Sequence, residues 1–268
     1  VAQRITGVQR FAHGVINALD RSLQVTPCGH DVELLLPPQA EPISGLKAIG
    51  QRVVGCPGRS LTIWEQVDLP LHSRGGTLVS LSGSAPLLIK KCIPTIHDAA
   101  IYLYPNAYSR IFVAWYRFLF SVRAKFSPLV LTVSNSSAGD LATHLPKTSY
   151  RVVPNSAEHI LDQPADTSVL NQLDLTPLKF LLAVGSLNPT KNFSMLIDAY
   201  ISSPLADVIP LVIVGAINRD VFRSKLTVVS HRNVRWAGSI TDMQLRALYE
   251  HANLFVFPSL YEGFGIPP

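Results

Sequence analysis

Apolar positions along the chain recur at two different spacings, and the spacing changes from segment to segment. Behind the turn residues Thr6 and Gly7, the positions Val8, Phe11, Ala12, Val15, Ile16 and Leu19 return every three or four residues, which predicts an amphipathic helix. Residues 31–36 predict a strand. From 37 to 86 the chain is dense in Pro, Gly and Ser, and only short elements are legible, around 52–54 and 77–81. The stretch KKCIPTIHDAA predicts a buried strand ending at His97 and Asp98, followed by a helical pattern over 108–126. A strand over 130–134, a helix over 136–145 and a short strand with a Pro-Asn turn in YRVVPNSAEH come next.

Residues 161–176 are polar and contain Pro, and they read as a linker. Beyond them the same alternation restarts. A strand over 180–184 leads into a loop at 185–191, and Phe193, Leu196, Ile197, Tyr200 and Ile201 mark one face of a helix. PLVIVG and NVRWAG are further strands, and TDMQLRALYEHA is a helix opened by a Thr241/Gln244 capping box. A last strand over 254–257 delivers a Gly-rich loop. Strands alternating with helices of this length imply parallel sheets covered on both faces. The expected fold class is α/β with two Rossmann-like domains, 1–167 and 168–268.

Composition adds few constraints. The sequence has 268 residues, 47% of them hydrophobic, enough for two modest cores. Its longest apolar runs are far shorter than the roughly 20 residues of a spanning helix. Cys28, Cys56 and Cys92 are odd in number, distant and without a CxxC spacing, so neither a disulfide framework nor a zinc site is expected, and a reducing, cytoplasmic setting fits. Residues 1–167 hold 15 Lys and Arg against 11 Asp and Glu, while 168–268 hold 8 against 7. That excess is too dilute for a nucleic-acid reader and suits phosphate-bearing substrates or anionic lipid head groups better. The sequence opens at Val1 with no Met, charged leader or apolar signal core, and both ends are expected to be cut.

In open parallel sheets, ligands sit beyond the carboxyl ends of the strands, which singles out polar residues that follow apolar runs. The loop VGSLNPTKN offers Gly185, Ser186, Lys191 and the start of a helix, a combination suited to a diphosphate; a solvated Lys beside a helix start is the competing reading. His97 follows an apolar strand directly, as a structural imidazole or as a group recognising hydroxyls beside a reacting carbon. Glu262 lies among Gly263, Phe264 and Gly265, either accepting hydrogen bonds from sugar hydroxyls or capping a following helix. In YSRIFVAWYRFLFSVRAKF, Arg110, Arg117 and Lys125 share one sector of a helix. This reads as a packed helix with a basic edge or as a membrane-surface segment.

Taken in order, these stretches resemble the retaining family-4 glycosyltransferases of the GT-B fold, in the bacterial branch that builds surface polysaccharides. TGVQRFAHGVINAL is similar to that branch's opening TG[IV]xR helix, IWEQVDLP to its WEQ segment, and IPTIHDAAIYLYPNAYS to its HD motif and Pro-containing loop. LTVSNSSAGDL, VVPNSAEH and LLAVGSLNPTKNF resemble the next three segments, and LFVFPSLYEGFGIPP the first half of the E-x7-E signature. The resemblance runs from about Thr6 to the end.

It implies transfer of a hexose from a nucleoside-diphosphate sugar to a glycan or lipid-linked acceptor, with retention, and with no metal and no cofactor beyond the donor, for which GDP-mannose is the first guess. By the same resemblance, Lys191 meets the leaving diphosphate and His97 the anomeric carbon and outer hydroxyls. Glu262 orients the donor sugar, and Gly7 lies by the phosphates. Gly185, Ser186, Gly263, Phe264 and Gly265 complete the donor site. The signature's second acidic position falls outside the sequence, so a truncated second domain and an inactive fragment are expected. Thr190 and Ser186 stand where relatives place Arg, and Ser156 where the PNG turn has Gly, which leaves Lys191 more alone at the phosphates. A GT-B nucleotide-sugar epimerase and a non-catalytic binding module are the alternatives.

Overall fold

The computed structural model describes residues 7–73, 75–146, 148–215 and 231–267. The chain divides into two compact units, one of Val1–Ala99 with Trp115–Asn155, the other of Ala100–Ala114 with Ser156–Pro268. Of the anticipated opening helix, Thr6 lies outside the described residues; Gly7 is the first residue of α1 (Gly7–Val25). Phe11 turns inward from α1, and so does Asp20, whose carboxylate accepts the backbone N–H groups of Lys47, Ala48 and Ile49.

The strands of the first unit pair in parallel. β1 (Glu33–Leu36) pairs with β2 (Gly50–Val53), β3 (Leu78–Ser80) with β4 (Cys92–Pro94), and β5 (Val130–Thr132) with β6 (Tyr150–Val152). A bridge between Thr95 and Leu131 joins β4 to β5. The strand expected to run to His97 ends at Pro94, after which Thr95 N–H donates to Ser80 O at the end of β3 and Ile96 N–H to Leu131 O, both at 2.8 Å. The unreadable stretch before β3 is helical, as α2 (Leu61–Ile63), a π turn (Trp64–Asp68) and α3 (Leu69–His72). Its period was hidden because the π turn breaks the 3.6-residue repeat.

After β4 the chain forms α4 (Ala100–Leu103) and α5 (Arg110–Phe126), whose first turn is capped by Ser109 Oγ accepting from Phe112 N–H. α6 (Asn135–His144) starts from a Ser134 cap. The segment expected as a linker contains α7 (Ser168–Gln172). Val169 and Leu170 are buried against Ala247 and Leu248, and this burial outweighs the local polarity that suggested a loose connection.

The second unit holds a four-stranded parallel sheet in the order β10-β7-β8-β9, from β7 (Leu181–Val184), β8 (Leu211–Val214), β9 (Val234–Gly238) and β10 (Leu254–Phe255). Because side chains alternate along a strand, Leu181, Ala183, Leu211 and Ile213 meet Phe193, Ile197 and Tyr200 of α8 (Phe193–Ile201) on one face. Phe180, Leu182, Val212 and Val214 meet α7 and α9 (Asp242–His251) on the other. Continuous apolar strands thus become a sheet buried on both sides. The Thr241/Gln244 capping box is present as read.

Candidate active site

Two side chains singled out in the sequence meet at the carboxyl end of this sheet. Lys191 closes a short 3-10 turn (Pro189–Lys191) after β7, and Glu262 lies in the loop after β10, 71 residues on. Lys191 Nζ reaches Glu262 Oε1 at 2.5 Å and Oε2 at 2.7 Å, and Ser259 Oγ donates to the same Oε1 at 2.7 Å. The side chains are 18% and 20% exposed, so the pair is neither free in water nor sealed from a ligand.

The two loops are fastened on either side of the pair. Asn188 Oδ1 accepts Thr190 N–H, and Thr190 O accepts Leu260 N–H at 2.8 Å. Thr190 is 4% exposed, so its side chain is packing and presents nothing to a phosphate. Asn192 takes a left-handed conformation (φ 56°) that turns the chain into α8, and its Nδ2 donates to Pro258 O. With the Asn192 side chain engaged there, it does not cap α8, and the first amides of that helix face the Lys191 turn without a side-chain acceptor from it.

Glycines set the closeness of these loops. Gly185 N–H donates to Val214 O, and a Cβ at Gly185 would touch the Lys191 stem and Phe193 at 3.5 Å, ordinary contact. At Gly215 (φ 153°) a Cβ would drive into the carbonyl oxygen of Gly185. Ser186 is exposed, and its carbonyl accepts Asn188 N–H at 2.7 Å. Gly265 needs its positive φ of 86° to turn the loop that carries Glu262, with half-buried Gly263 and exposed Phe264 between them. Sequence reasoning missed Ser259, Asn192 and Gly215. A Ser three residues before Glu262 in a turn was the available signal for the first.

His97 lies in the first unit. Its Nε2 is 3.3 Å from Leu81 O, the Phe11 ring stands edge-on at 4.9 Å, and Gly83 (φ 78°) leaves just enough room for the imidazole. The helix that Gly7 opens is thereby brought against His97 one turn later, through Phe11. Burial pushes the His97 pKa below its ordinary value, and the Leu81 carbonyl offsets this only in part. His13 is lowered too, by burial first. A histidine lowered in the folded state binds fewer protons folded than unfolded, so stability is complete above the unfolded value of 6.5 and declines as the pH falls through it. Melting temperature should therefore drop between pH 7.5 and 5.5, and His97→Gln should flatten that drop; an unchanged slope would count against the burial account.

Among the described residues, no cluster of three or more His, Cys, Asp or Glu is placed to hold a metal ion, and no helix is long and apolar enough to cross a membrane.

Parallel α/β units of this kind fit the GT-B fold, and a solved structure has a similar fold. A sucrose-phosphate synthase from Thermosynechococcus elongatus superposes with a TM-score of 0.61 at 17% identity, covering 93% of this chain and 71% of that one. Residues 171–268 match the family Glycosyl transferases group 1. The chain is 28% identical over 192 residues to O-antigen chain mannosyltransferase B of Escherichia coli, covering 68% of this chain and 50% of that protein. It is 28% identical over 186 residues to O-antigen chain mannosyltransferase RfbU of Salmonella typhimurium, covering 68% and 49%. The chain thus spans about half the length of these curated relatives.

Proposed function

We propose that the chain serves a retaining, metal-independent glycosyltransferase that moves a hexose from a nucleoside-diphosphate sugar to a growing glycan on a lipid carrier, at the cytoplasmic side of a membrane. The observation that carries this reading is the Lys191–Glu262 pair at the carboxyl ends of β7 and β10, beside the N-terminus of α8, which the Asn192 side chain does not cap. A cation, helix amides and a carboxylate within one small space are the partners that a diphosphate and sugar hydroxyls require. Breaking the sugar–phosphate bond leaves negative charge on the diphosphate and positive charge on the ring. Lys191 and the α8 amides stabilise the first, which is the task a metal ion performs in other transferases. Glu262 orients the sugar, and His97 is the imidazole proposed to recognise hydroxyls.

Mannose is the donor sugar favoured by the relatives, two of which are named O-antigen chain mannosyltransferases. Titration with GDP-mannose, UDP-glucose and other nucleotide sugars, followed by melting temperature, tests the donor. A matched donor at a hundred times its dissociation constant adds about 2.7 kcal/mol of apparent stability, with or without EDTA. No shift from any nucleotide sugar, or one abolished by EDTA, would refute the metal-free donor site.

Contact with an anionic membrane is supported by residues 115–126 of α5. Trp115, Phe118 and Phe126 are 38%, 53% and 59% exposed there, and α5 carries no acidic residue. The protein should pellet with vesicles rich in phosphatidylglycerol, and Phe118→Ser with Lys125→Glu should reduce the pelleted fraction severalfold. Equal pelleting with neutral vesicles would argue against charge as the attraction.

A further inference from the structure

We propose that Glu65 is a positioning residue for His97, acting with Gln66 through the loop formed by residues 81–87. The two side chains are consecutive, yet both hold this loop. Ser84 Oγ donates to Glu65 Oε2, Gln66 Nε2 donates to Glu65 Oε1 at 2.9 Å and to Ala85 O at 3.2 Å, and Leu87 N–H donates to Gln66 Oε1 at 3.0 Å. On an α-helix, neighbours diverge by about 100°. The π turn Trp64–Asp68 is wider, and here it brings adjacent positions onto one target. Trp64 Nε1 anchors the start of that turn on Val54 O at 2.7 Å.

The held loop is the support of the imidazole. Ser80 Oγ at the end of β3 donates to Ser84 O, closing the loop into a tight turn whose Gly83 has a φ of 78°. Leu81 O, in the same turn, faces His97 Nε2, so the ring donates there as the Nε2–H tautomer and keeps Nδ1 as its acceptor nitrogen. Gly83 lies under the ring edge, where an added Cβ would stand 3.3 Å from Cδ2. Phe11 closes the other side. Releasing Ser84 from Glu65 therefore frees the carbonyl that selects the tautomer and the backbone that bounds the ring. Glu65 itself is buried enough that its carboxyl titrates above the ordinary range despite the Ser84 and Gln66 bonds, so the fold retains it against a desolvation cost. Packing alone would be served by an apolar side chain of that size.

The importance of this loop for transfer rests on the role proposed above for His97, but the test reads the ring itself. Histidine-15N spectra of the chain follow the His97 titration and tautomer in Glu65→Ala, Glu65→Gln and Ser84→Ala, with Glu33→Ala as a control at an exposed ion pair. Glu65→Ala should mix the two tautomers, because the Leu81 carbonyl no longer fixes the Nε2–H form. Glu65→Gln, which keeps a side-chain acceptor for Ser84, should stay near the parent, and Ser84→Ala should reproduce part of the Ala effect even where Glu65→Ala folds poorly. An unchanged His97 signal in folded Glu65→Ala or Ser84→Ala overturns the proposal, as does a Gln variant that shifts as far as the Ala variant. Failure of the donor titration with the ring responses intact would refute the transferase reading and leave this one standing.

Discussion

Lys191→Ala is expected, on the proposed function, to lower kcat/KM for sugar transfer a hundredfold or more. The lysine is the cation nearest Glu262, with its stem packed along Gly185, and the side chain at the preceding position is buried Thr190 rather than a second cation. A fixed donor at a developing anion contributes about 3 kcal/mol in a site that excludes water, and a hundredfold corresponds to that size. Lys191→Arg should recover part of the loss, because charge returns while the geometry differs. His97→Ala should reduce turnover with less effect on binding of the free nucleotide. Near-normal kinetics in Lys191→Ala would show that the phosphates lie elsewhere.

Gly215→Ala should be the most damaging single methyl in the second unit, costing about 3 kcal/mol or more. The residue follows β8, donates its N–H to Gly238 O, and sits with φ at 153° against the carbonyl of Gly185. A methyl there has to displace backbone, since the obstructing atom is a carbonyl oxygen whose own N–H is tied to Val214. By contrast, Gly185→Ala meets only ordinary contacts at 3.5 Å and should be tolerated for folding while crowding the Lys191 stem. Urea unfolding of the two variants measures the difference; equal midpoints would show that the β7 and β8 loops yield more easily than their hydrogen bonds imply.

How far the sequence could be read follows from which forces act locally. The helix Asp242–His251 was legible to its first residue because its capping box lies within four consecutive positions. The strands β7 and β8 were legible because burial on both faces requires an uninterrupted apolar run. The end of β4 was not, since its neighbour β3 stops at Ser80, which accepts Thr95 N–H, and only tertiary pairing dictates where that ladder stops. Nor was α7, whose five residues are held by a neighbour some eighty positions away. At the site, Lys191 and Glu262 were each visible as a charged residue after an apolar strand. That they would pair was invisible, because 71 residues separate them and the fastening runs through the backbone of Thr190 and Leu260. The WEQ segment was matched by resemblance alone, and its hold on the 81–87 loop had no local signature.

The Lys191–Glu262 contact also bears on the order in which ligands leave. In the unliganded protein each charge answers the other, so a donor entering the proposed site must make an exchange: its diphosphate takes the ammonium, and its sugar hydroxyls take over the carboxylate. Both halves of the pair find a new partner only when phosphate and sugar arrive on one molecule. On the proposed reading, the nucleoside diphosphate left after transfer would still occupy Lys191 but offer nothing to Glu262, which among the described residues would keep the Ser259 hydroxyl in its half-buried position. The pull of that carboxylate on its lysine works against the spent nucleotide and not against the intact donor. On the proposed reading the pair is a built-in competitor for the product, and the spent nucleotide should dissociate more readily than its phosphate contacts by themselves would allow.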